Sequence, residues 1–359
     1  MNILTRYVLR EFILAWLVAL TALSVMLCGS QFARALERAA DSHLPNEIVP
    51  QLVLATFVQS LPIVAPLSVI LGIVFVIGRL CHDSELSAMR AAGLSMWRIT
   101  RPILFVATLC ALVIAWLTLQ LSPAMASREQ SLLADGLRRA QLAAFQPGRF
   151  TQVPHSSTVI HVRARGADGM LQQLMIARLE NARIEVITAR RATIATSAGG
   201  RAVSIMAYDG VRAEGVPGEG AARLMRFARL STQVAFEDVR RVRTSRDFLP
   251  SSELWISTST ADVAELQWRW SLPLMCVVLA YIAVPLSVLR PRQGRYARVL
   301  PVLLVFFLYI NALTAGRNAV SHGALGRLPG MWSVHLGFAL VAALIIAWPA
   351  LRRIVVARR

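Results

Sequence analysis

The sequence contains no lysine, and its 38 basic residues are all arginine. A phosphate-binding P-loop needs a lysine to contact the nucleotide phosphates, and Schiff-base chemistry needs a lysine amine. The chain therefore cannot hydrolyse ATP by the usual P-loop route. Any ATP-driven role would need a separate subunit that supplies the ATPase site.

Charged residues are also scarce, at 16% of the chain, whereas apolar residues make up 56% and the mean hydropathy is +0.55. These values are too apolar for a soluble protein of 359 residues. Six uncharged runs are long enough to cross a bilayer, which takes about 20 residues. The sequence thus predicts a polytopic α-helical membrane protein with runs at Phe12 to Phe32, Ile48 to Gly78, Pro102 to Ser127, Trp270 to Leu289, Val299 to Gly316 and Leu328 to Leu351.

The four cysteines lie in or beside these runs and have neither a paired nor a metal-binding spacing. We interpret Cys28, Cys81, Cys110 and Cys276 as small buried hydrophobic residues, not as disulfide partners or metal ligands. The stretch Leu27-Cys-Gly-Ser30 resembles a lipoprotein cleavage box, so lipid attachment is the alternative for Cys28. The apolar segment before it is longer than usual for such a signal, and we expect the first run to be retained.

Arginine clusters beside the runs predict how the chain is oriented. In a soluble protein the formal net charge of +18 would suggest nucleic acid binding. Here the charge flanks membrane runs, so orientation and acidic lipid headgroups explain it, and no nucleic acid partner is expected. Both termini and two loops are placed in the cytoplasm by these clusters: Arg6 and Arg10; Arg79, Arg90, Arg98 and Arg101; Arg290, Arg292, Arg295 and Arg298; and Arg352, Arg353, Arg358 and Arg359.

Between the third and fourth runs the chain becomes polar and rich in arginine. Glycine-rich turns separate stretches of strand-like pattern, some with a visible period of two. We predict about 100 residues of all-β sandwich or roll on the outer side of the membrane. No nucleophile–base set and no metal-ligand spacing is present there, so an enzyme function has little support. The strand-like stretches are Thr158 to Val162, Leu171 to Leu179, Ile184 to Thr196, Ala202 to Tyr208 and Leu224 to Phe236.

A polar island, Arg79 to Arg101, separates the second and third runs and is predicted to form a short amphipathic helix near 83–97. Asp83 or Ser84 can cap its start, and Glu85 suits the positive end of the helix dipole. Such a helix between two spans can transmit force from a soluble partner; a solvated loop is the alternative. The residues at helical spacing on one face are Leu86, Met89, Gly93 and Trp97.

Arg34 and Arg38 lie at the outer end of the first run, four residues apart and on one helix face. Guanidinium groups suit phosphate, which they can bind in a bidentate way. These arginines are therefore candidates for binding a phosphorylated ligand. They could equally be snorkelling anchors, or pair internally with Glu37 or Asp41.

Four motifs in the chain are similar to those of one family. They are Arg6-Tyr-x-x-Arg-Glu11 at the N-terminus, Ser84-Glu-Leu-Ser-Ala-Met-Arg-Ala-Ala-Gly-Leu-Ser95 in the first cytoplasmic loop, Pro285-Leu-Ser-Val-Leu-Arg-Pro-Arg-Gln-Gly-Arg295 in the second, and Ala264-Glu-Leu-Gln-Trp-Arg269 at the start of the fourth run. Over its whole length the chain resembles the lipopolysaccharide export permeases LptF and LptG of Gram-negative bacteria, and LptF more closely.

This resemblance implies an inner-membrane protein with six transmembrane helices and an inserted periplasmic β-jellyroll. The spans would occupy 1–126 and 266–359, the jellyroll 127–265, and a cytoplasmic coupling helix the region near 83–97. It further implies an ABC exporter formed with a homologous LptG-like permease and a dimer of a separate LptB-like ATPase. Lipopolysaccharide would enter between the permeases and pass to a bridge of LptC-like and LptA-like jellyroll proteins.

The resemblance also suggests roles for individual residues. Glu85 lies where the family's coupling helix meets the ATPase, and Arg34 where a basic residue of the first span faces the substrate's phosphates. Arg38 is added to the substrate site from helical spacing alone. We predict that three apolar residues of the coupling region fill a groove of the ATPase: Leu86, Met89 and Trp97.

Two other classes of function remain as alternatives. A secondary transporter would be expected to hold ionisable residues at mid-membrane, and the six runs contain no Asp, Glu, Lys or Arg. A membrane scaffold without transport would need neither six spans nor a coupling loop. Copurification of an ATPase subunit would separate the exporter from both.

Overall fold

The structure is a computed structural model that describes residues 3–42, 46–143, 145–153, 157–166, 168–180, 183–196, 202–216, 222–235, 246–289, 293–294 and 296–357. Part of the second cytoplasmic motif, at 290–292 and 295, lies outside this range. The helices are α1 Ile3–Ser42, α2 Val49–His82, α3 Glu85–Ala91, α4 Met96–Trp116, α5 Ser122–Ala143, α6 Ser251–Ile256, α7 Thr260–Leu286, α8 Val299–Ser321 and α9 Trp332–Ala357.

The chain divides into two compact units. The helical unit comprises Met1–Gln31, Val53–Arg128 and Arg246–Arg359, and the second unit comprises Phe32–Leu52 and Glu129–Ser245. The helical unit thus resumes at Arg246, earlier than the boundary near 266 that the sequence suggested. Hydrogen bonds between the 247–251 segment and α7 explain this, and they are described with the candidate site below.

Among the described residues, five helical segments are long and apolar enough to cross a membrane: Ile3–Glu37, Val49–His82, Met96–Gly136, Thr260–Leu286 and Val299–Ser321. The sixth predicted run falls on α9, whose side chains are described for the apolar stretch Trp332–Ala347. Helix α7, which holds the fourth predicted run, starts ten residues before that run. It includes three charged residues that are buried: Asp262, Glu265 and Arg269. A helical protein with several apolar spans is thereby confirmed.

Helix α7 lies at the centre of the helical unit. It packs against α4, α8 and α9, and buried residues occur on all sides of it. A helix that is apolar around its circumference is stable only when neighbours surround it. Helix α1 reaches α2 at Gly72, where an added Cβ would lie 3.0 Å from the backbone of Trp16. A glycine is needed there for this close approach.

The predicted β region forms one antiparallel sheet in which each strand pairs with the next in sequence. Its strands are β1 Phe150–Gln152, β2 Thr158–Arg165, β3 Leu171–Glu180, β4 Arg183–Thr196, β5 Ala202–Gly215 and β6 Ala222–Ala235. The five predicted strands correspond to β2–β6. The side chains of Ile160, Leu174 and Ile205 form the centre of a buried cluster on one face. This arrangement establishes an antiparallel sheet, and the described strand order shows no jellyroll crossover.

The cysteine interpretation is correct at two positions and wrong at one. Cys110 and Cys276 are buried, Cys81 is half-buried, and Cys28 is exposed. Cys28 lies on α1, whose apolar surface is largely uncovered by the rest of this chain. An apolar position on a membrane helix can face lipid, so an apolar sequence context does not by itself predict burial inside the protein.

Candidate functional site

Three helices of the helical unit meet at a group of polar side chains that we call the Tyr7 cluster: Tyr7, Glu11, Arg79 and Glu85. The Tyr7 hydroxyl donates to the carboxylate of Glu85, whose oxygens lie 2.8 and 3.0 Å away. Arg79 Nη2 donates to the Tyr7 hydroxyl oxygen at 2.7 Å. The side chain of the proposed coupling residue Glu85 is therefore fixed by α1 and α2.

Arg79 carries the positive charge that balances the two carboxylates of the Tyr7 cluster. Its Nη1 lies 3.3 Å from Glu11 Oε2 and its Nη2 lies 3.8 Å from Glu85 Oε1. The guanidinium also sits 5.8 Å from the centre of the Tyr7 ring. All these side chains are only half-buried, so water screens the ion pairs and the hydrogen bonds through Tyr7 give the main directional restraint.

Helix α3 is shorter than predicted and covers Glu85–Ala91 only. Ser84 occupies the N-cap position, but its φ of +59° is left-handed and its side chain makes no capping bond. Gly93, at φ +82°, allows the chain to turn after the helix, and Ser95 then caps α4 by accepting from Arg98 N. Trp97 consequently belongs to the first turn of α4.

The residues predicted to fill a groove of the ATPase differ in their exposure. Leu86 is buried in this chain's own core, and Met89 packs partly against the same core. Trp97 is 57% exposed and stacks on Tyr281 of α7, with ring centres 6.4 Å apart. Of these three side chains, Trp97 therefore offers the largest free surface to a partner.

The proposed substrate residues lie near the C-terminal end of α1, in the second unit. Arg34 is exposed, and the neighbouring Ala35 is buried, so Arg34 lies on the outward face of the helix. Arg38 is in the same helix, but its side chain lies outside the described part of the chain. The resemblance points to Arg34 and helical spacing adds Arg38, but the described side-chain geometry covers Arg34 alone.

The helical unit also contains a polar group with a buried centre that we call the Arg269 cluster: Asp247, Glu265, Arg269 and Arg317. Glu265 and Arg269 are buried, Arg317 is half-buried and Asp247 is exposed. Arg269 is only 3% exposed, and its Nε donates to Glu265 Oε1 at 2.9 Å. Its remaining donors bind backbone and hydroxyl oxygens of the chain that precedes α7. The acceptors are Leu249 O at 2.9 Å, Ser251 Oγ at 2.8 Å and Asp247 O at 3.0 Å.

Arg317 of α8 completes the cluster from the other side. Its Nη2 donates to Glu265 Oε2 and, at 3.0 Å, to Asp247 Oδ1. The Glu265 carboxylate thus has one arginine on each oxygen, as a buried charge requires. Ser251 continues the network by donating to Leu119 O at 2.6 Å. That carbonyl lies in the π-helical segment Leu117–Leu121 between α4 and α5.

The sequence matches a family model described as lipopolysaccharide export system permease LptF/LptG over residues 6–348. The chain belongs to the LptF/LptG family. Among its relatives are the lipopolysaccharide export system permease protein LptF of Escherichia coli strain K12 and that of Shigella flexneri. Each is 27% identical over 350 residues, which span 96% of this chain and 95% of the relative. The resemblance inferred from the motifs is confirmed.

Within this LptF/LptG chain, three of the family-like motifs supply the polar clusters, since Glu85 lies in the motif of the first cytoplasmic loop. The N-terminal motif contains Tyr7 and Glu11, and the motif before the fourth run contains Glu265 and Arg269. These motifs are recognisable in the sequence, but their residues carry no sign there of contacts with other parts of the chain. The spacing of Glu265 and Arg269, four apart on a helix, was the signal available for their ion pair. The partners Arg79 and Arg317 come from distant parts of the chain and had no such signal.

Proposed function

We propose that this chain is a permease subunit of an ABC exporter that extracts lipopolysaccharide from the inner membrane and passes it to a periplasmic bridge towards the outer membrane. The observation that carries the proposal is the match to the LptF/LptG family over residues 6–348. The relatives are named as lipopolysaccharide export permeases, and their similarity extends over nearly the whole of both chains. The antiparallel sheet and the apolar helices agree with an export subunit that works on both sides of a membrane.

The proposed topology has six spans, with both termini in the cytoplasm and the sheet in the periplasm. Arginine clusters at both termini and in two loops support it through the positive-inside rule. Helix α9 would be the sixth span, since it reaches Ala357 and its apolar part begins at Trp332. In this topology the Tyr7 cluster lies at the cytoplasmic ends of α1 and α2.

Energy would come from a dimer of an LptB-like ATPase bound at α3, with a homologous LptG-like permease completing the exporter. Leu86 packs α3 against the core of the helical unit, so that a displacement of α3 by the ATPase would also displace α2 and α4. Glu85 keeps about a third of its side chain exposed while Tyr7 and Arg79 fix its direction. A fixed carboxylate at the start of α3 and an exposed Trp97 in the first turn of α4 are suited to an interface with a basic and apolar partner surface.

Transfer to the bridge would use an edge of the sheet. Strand β6 pairs only with β5 in the described residues, and its side chains are mostly exposed. An open edge strand offers unpaired backbone groups to a further strand, as in β-augmentation. We propose that the sheet is part of a jellyroll whose β6 edge adjoins an LptC-like protein, followed by an LptA-like one.

We propose further that Arg34 binds a phosphate of lipopolysaccharide, with Arg38 assisting one helical turn later. Arg34→Glu should lower photo-crosslinking of lipopolysaccharide to the permease by roughly tenfold, because a charge-assisted hydrogen bond is replaced by repulsion. Arg38→Glu should have a smaller effect, because the neighbouring carboxylates of Glu37 and Asp41 already neutralise part of the Arg38 charge. Crosslinking is measured in membranes containing the assembled complex, with copurified ATPase as the assembly control.

Glu37→Gln provides a matched control for the Arg34 experiment, because it changes a neighbouring charge without adding repulsion towards phosphate. It should crosslink at least as well as the wild type. If Arg34→Glu and Arg38→Glu both crosslink like the wild type while the complex assembles, the two arginines are interfacial anchors. The snorkelling interpretation then applies.

The buried carboxylate of Glu265 is the observation that most favours a secondary transporter, since such proteins move ions with acidic groups inside the membrane. Arginine contacts on both of its oxygens indicate a structural ion pair instead. The decisive experiment is purification of the chain from its native membrane. We expect an ATPase subunit to copurify, and the chain freed of it to hydrolyse no ATP. ATP hydrolysis by the free chain, or transport without any ATPase subunit, would contradict the exporter.

A further inference from the structure

A groove lined by three tryptophans runs beside the first turns of α7 and α9 in the helical unit. We call it the tryptophan groove: Trp255, Leu266, Trp270, Arg327, Leu328 and Trp332. Its volume is about 320 Å³, which is within the usual size of ligand sites. The tryptophans come from three helices, α6, α7 and α9, so the groove is a product of packing and not of one helix face.

The groove has a fixed wall, because the loop between α8 and α9 is attached to α7. Gln267, 6% exposed, donates from Nε2 to Arg327 O at 2.9 Å and accepts from Met331 N at 3.0 Å. Gly330 lets this loop approach closely, since its φ is +45° and an added Cβ would lie 2.6 Å from Gln267 Oε1. Arg327 and Leu328 are therefore held at the groove by their backbone.

The charge of the groove is positive. The Arg327 side chain is exposed, and within the described part of the chain no acidic group pairs with it. Leu328 beside it is 79% exposed, and the three tryptophans are each at least 40% exposed. An uncovered apolar surface with a cation at its rim matches a ligand that has an apolar chain and an anionic head. Tryptophan and arginine are also the residues that lie at the level of lipid headgroups.

A second cavity continues the groove. It has a volume of about 860 Å³ and shares Trp255, Leu266 and Trp270 with the tryptophan groove. Glu253 lines this larger cavity, so an anionic head is expected at the Arg327 end and not beyond Trp255. Two adjoining apolar spaces with a single cation at one end suit a ligand with two chains and one head.

We propose that the tryptophan groove binds an anionic diacyl glycerophospholipid of the surrounding bilayer, with its phosphate at Arg327 and an acyl chain between Trp255 and Trp332. This site requires only that the apolar helices lie in a bilayer, and it does not depend on the export function. The bound lipid covers the exposed apolar surface and links α6, α7 and the α8–α9 loop.

The test uses the full chain, with the subunits that copurify with it, in phosphatidylcholine vesicles containing a minor share of phosphatidylglycerol. Either lipid is supplied as a probe with a photoactivatable acyl chain, and crosslinked residues are mapped by mass spectrometry. We expect labelling to concentrate at Trp255, Trp270 and Trp332. The phosphatidylglycerol probe should label about fivefold more than the phosphatidylcholine probe, the preference that one arginine near a membrane surface provides.

Variants separate a specific site from general attraction. Arg327→Gln should reduce phosphatidylglycerol labelling to the phosphatidylcholine level, whereas Arg327→Lys should keep the preference. Arg98→Gln removes another exposed arginine of the helical unit and should leave labelling of the groove unchanged. Trp255→Ser should reduce labelling by both probes, because it removes apolar surface without altering the charge.

Three results would overturn the proposal. The first is labelling of the groove no stronger than labelling of the exposed face of α1. The second is an equal loss of preference in Arg327→Gln and Arg98→Gln, which would indicate diffuse charge. The third is displacement of the probe by unlabelled lipopolysaccharide but not by unlabelled phosphatidylglycerol, which would assign the groove to a different lipid.

Discussion

Arg269→Ala is expected to destabilise the helical unit by about 3–5 kcal/mol, the cost of breaking a buried ion pair by removing one partner. The substitution removes all four hydrogen bonds of the Arg269 side chain. Glu265 keeps Arg317 on Oε2, but its Oε1 loses the Arg269 guanidinium in a buried site. The thermal midpoint of the purified chain in detergent should fall by roughly 6–15 °C.

Two further variants distinguish the ion pair from a simple loss of volume. Arg98→Ala makes the same chemical change at an exposed position of the same unit, and should shift stability by less than about 0.5 kcal/mol. Glu265→Leu combined with Arg269→Leu removes one charge of each sign and should be more stable than Arg269→Leu alone. In the double variant Arg317 and Asp247 remain as a balanced pair, whereas the single variant leaves two carboxylates to one arginine. A double variant less stable than the single one would contradict this account.

The positions of the helices and strands followed closely from the sequence. Uncharged runs located the apolar helices, and strands β2–β6 begin at or within two residues of their predicted starts. These elements are governed by local periodicity, which a single sequence records. Helix α7 begins before the fourth uncharged run because a charge count treats Asp262, Glu265 and Arg269 as solvated. Tertiary partners neutralise these residues, and only the fold reveals such partners.

The candidate site was predicted less completely, for the same physical reason. The motif identifies Glu85 but not its contacts. Tyr7 is 78 positions away along the chain and Arg79 is 6 positions away, and each lies on a different helix from Glu85. Leu86 was expected to face a partner, whereas it faces this chain's own core. Helical spacing shows which residues share a face, but it cannot show what that face contacts. The tryptophan groove likewise depends on packing between α6, α7 and α9.

Glu85→Ala is expected to reduce lipopolysaccharide-stimulated ATPase activity of the assembled exporter by about tenfold or more, the loss that follows from one hydrogen bond between charged groups at an interface. The prediction assumes that Glu85 pairs with a basic group of the ATPase while Tyr7 and Arg79 hold it in position. Because Glu85 is half-buried and Leu86 still seats α3, the chain should insert and retain its thermal midpoint within a few degrees. Activity and midpoint are measured on the same preparation.

Glu85→Gln and Tyr7→Phe separate coupling from a purely internal role. Glu85→Gln keeps a hydrogen-bond acceptor for Tyr7 but removes the negative charge, so it should lose most of the stimulated activity with its stability unchanged. Tyr7→Phe keeps the charge and the ring but removes the hydroxyl that orients the carboxylate, and should reduce activity less than Glu85→Ala does, because Arg79 Nη2 still lies 3.8 Å from Glu85 Oε1. If Glu85→Gln is fully active, the charge contacts no partner. If all three variants lose activity and thermal stability in proportion, Glu85 serves only to join α3 to α1 and α2, and the coupling contact must be sought at Trp97.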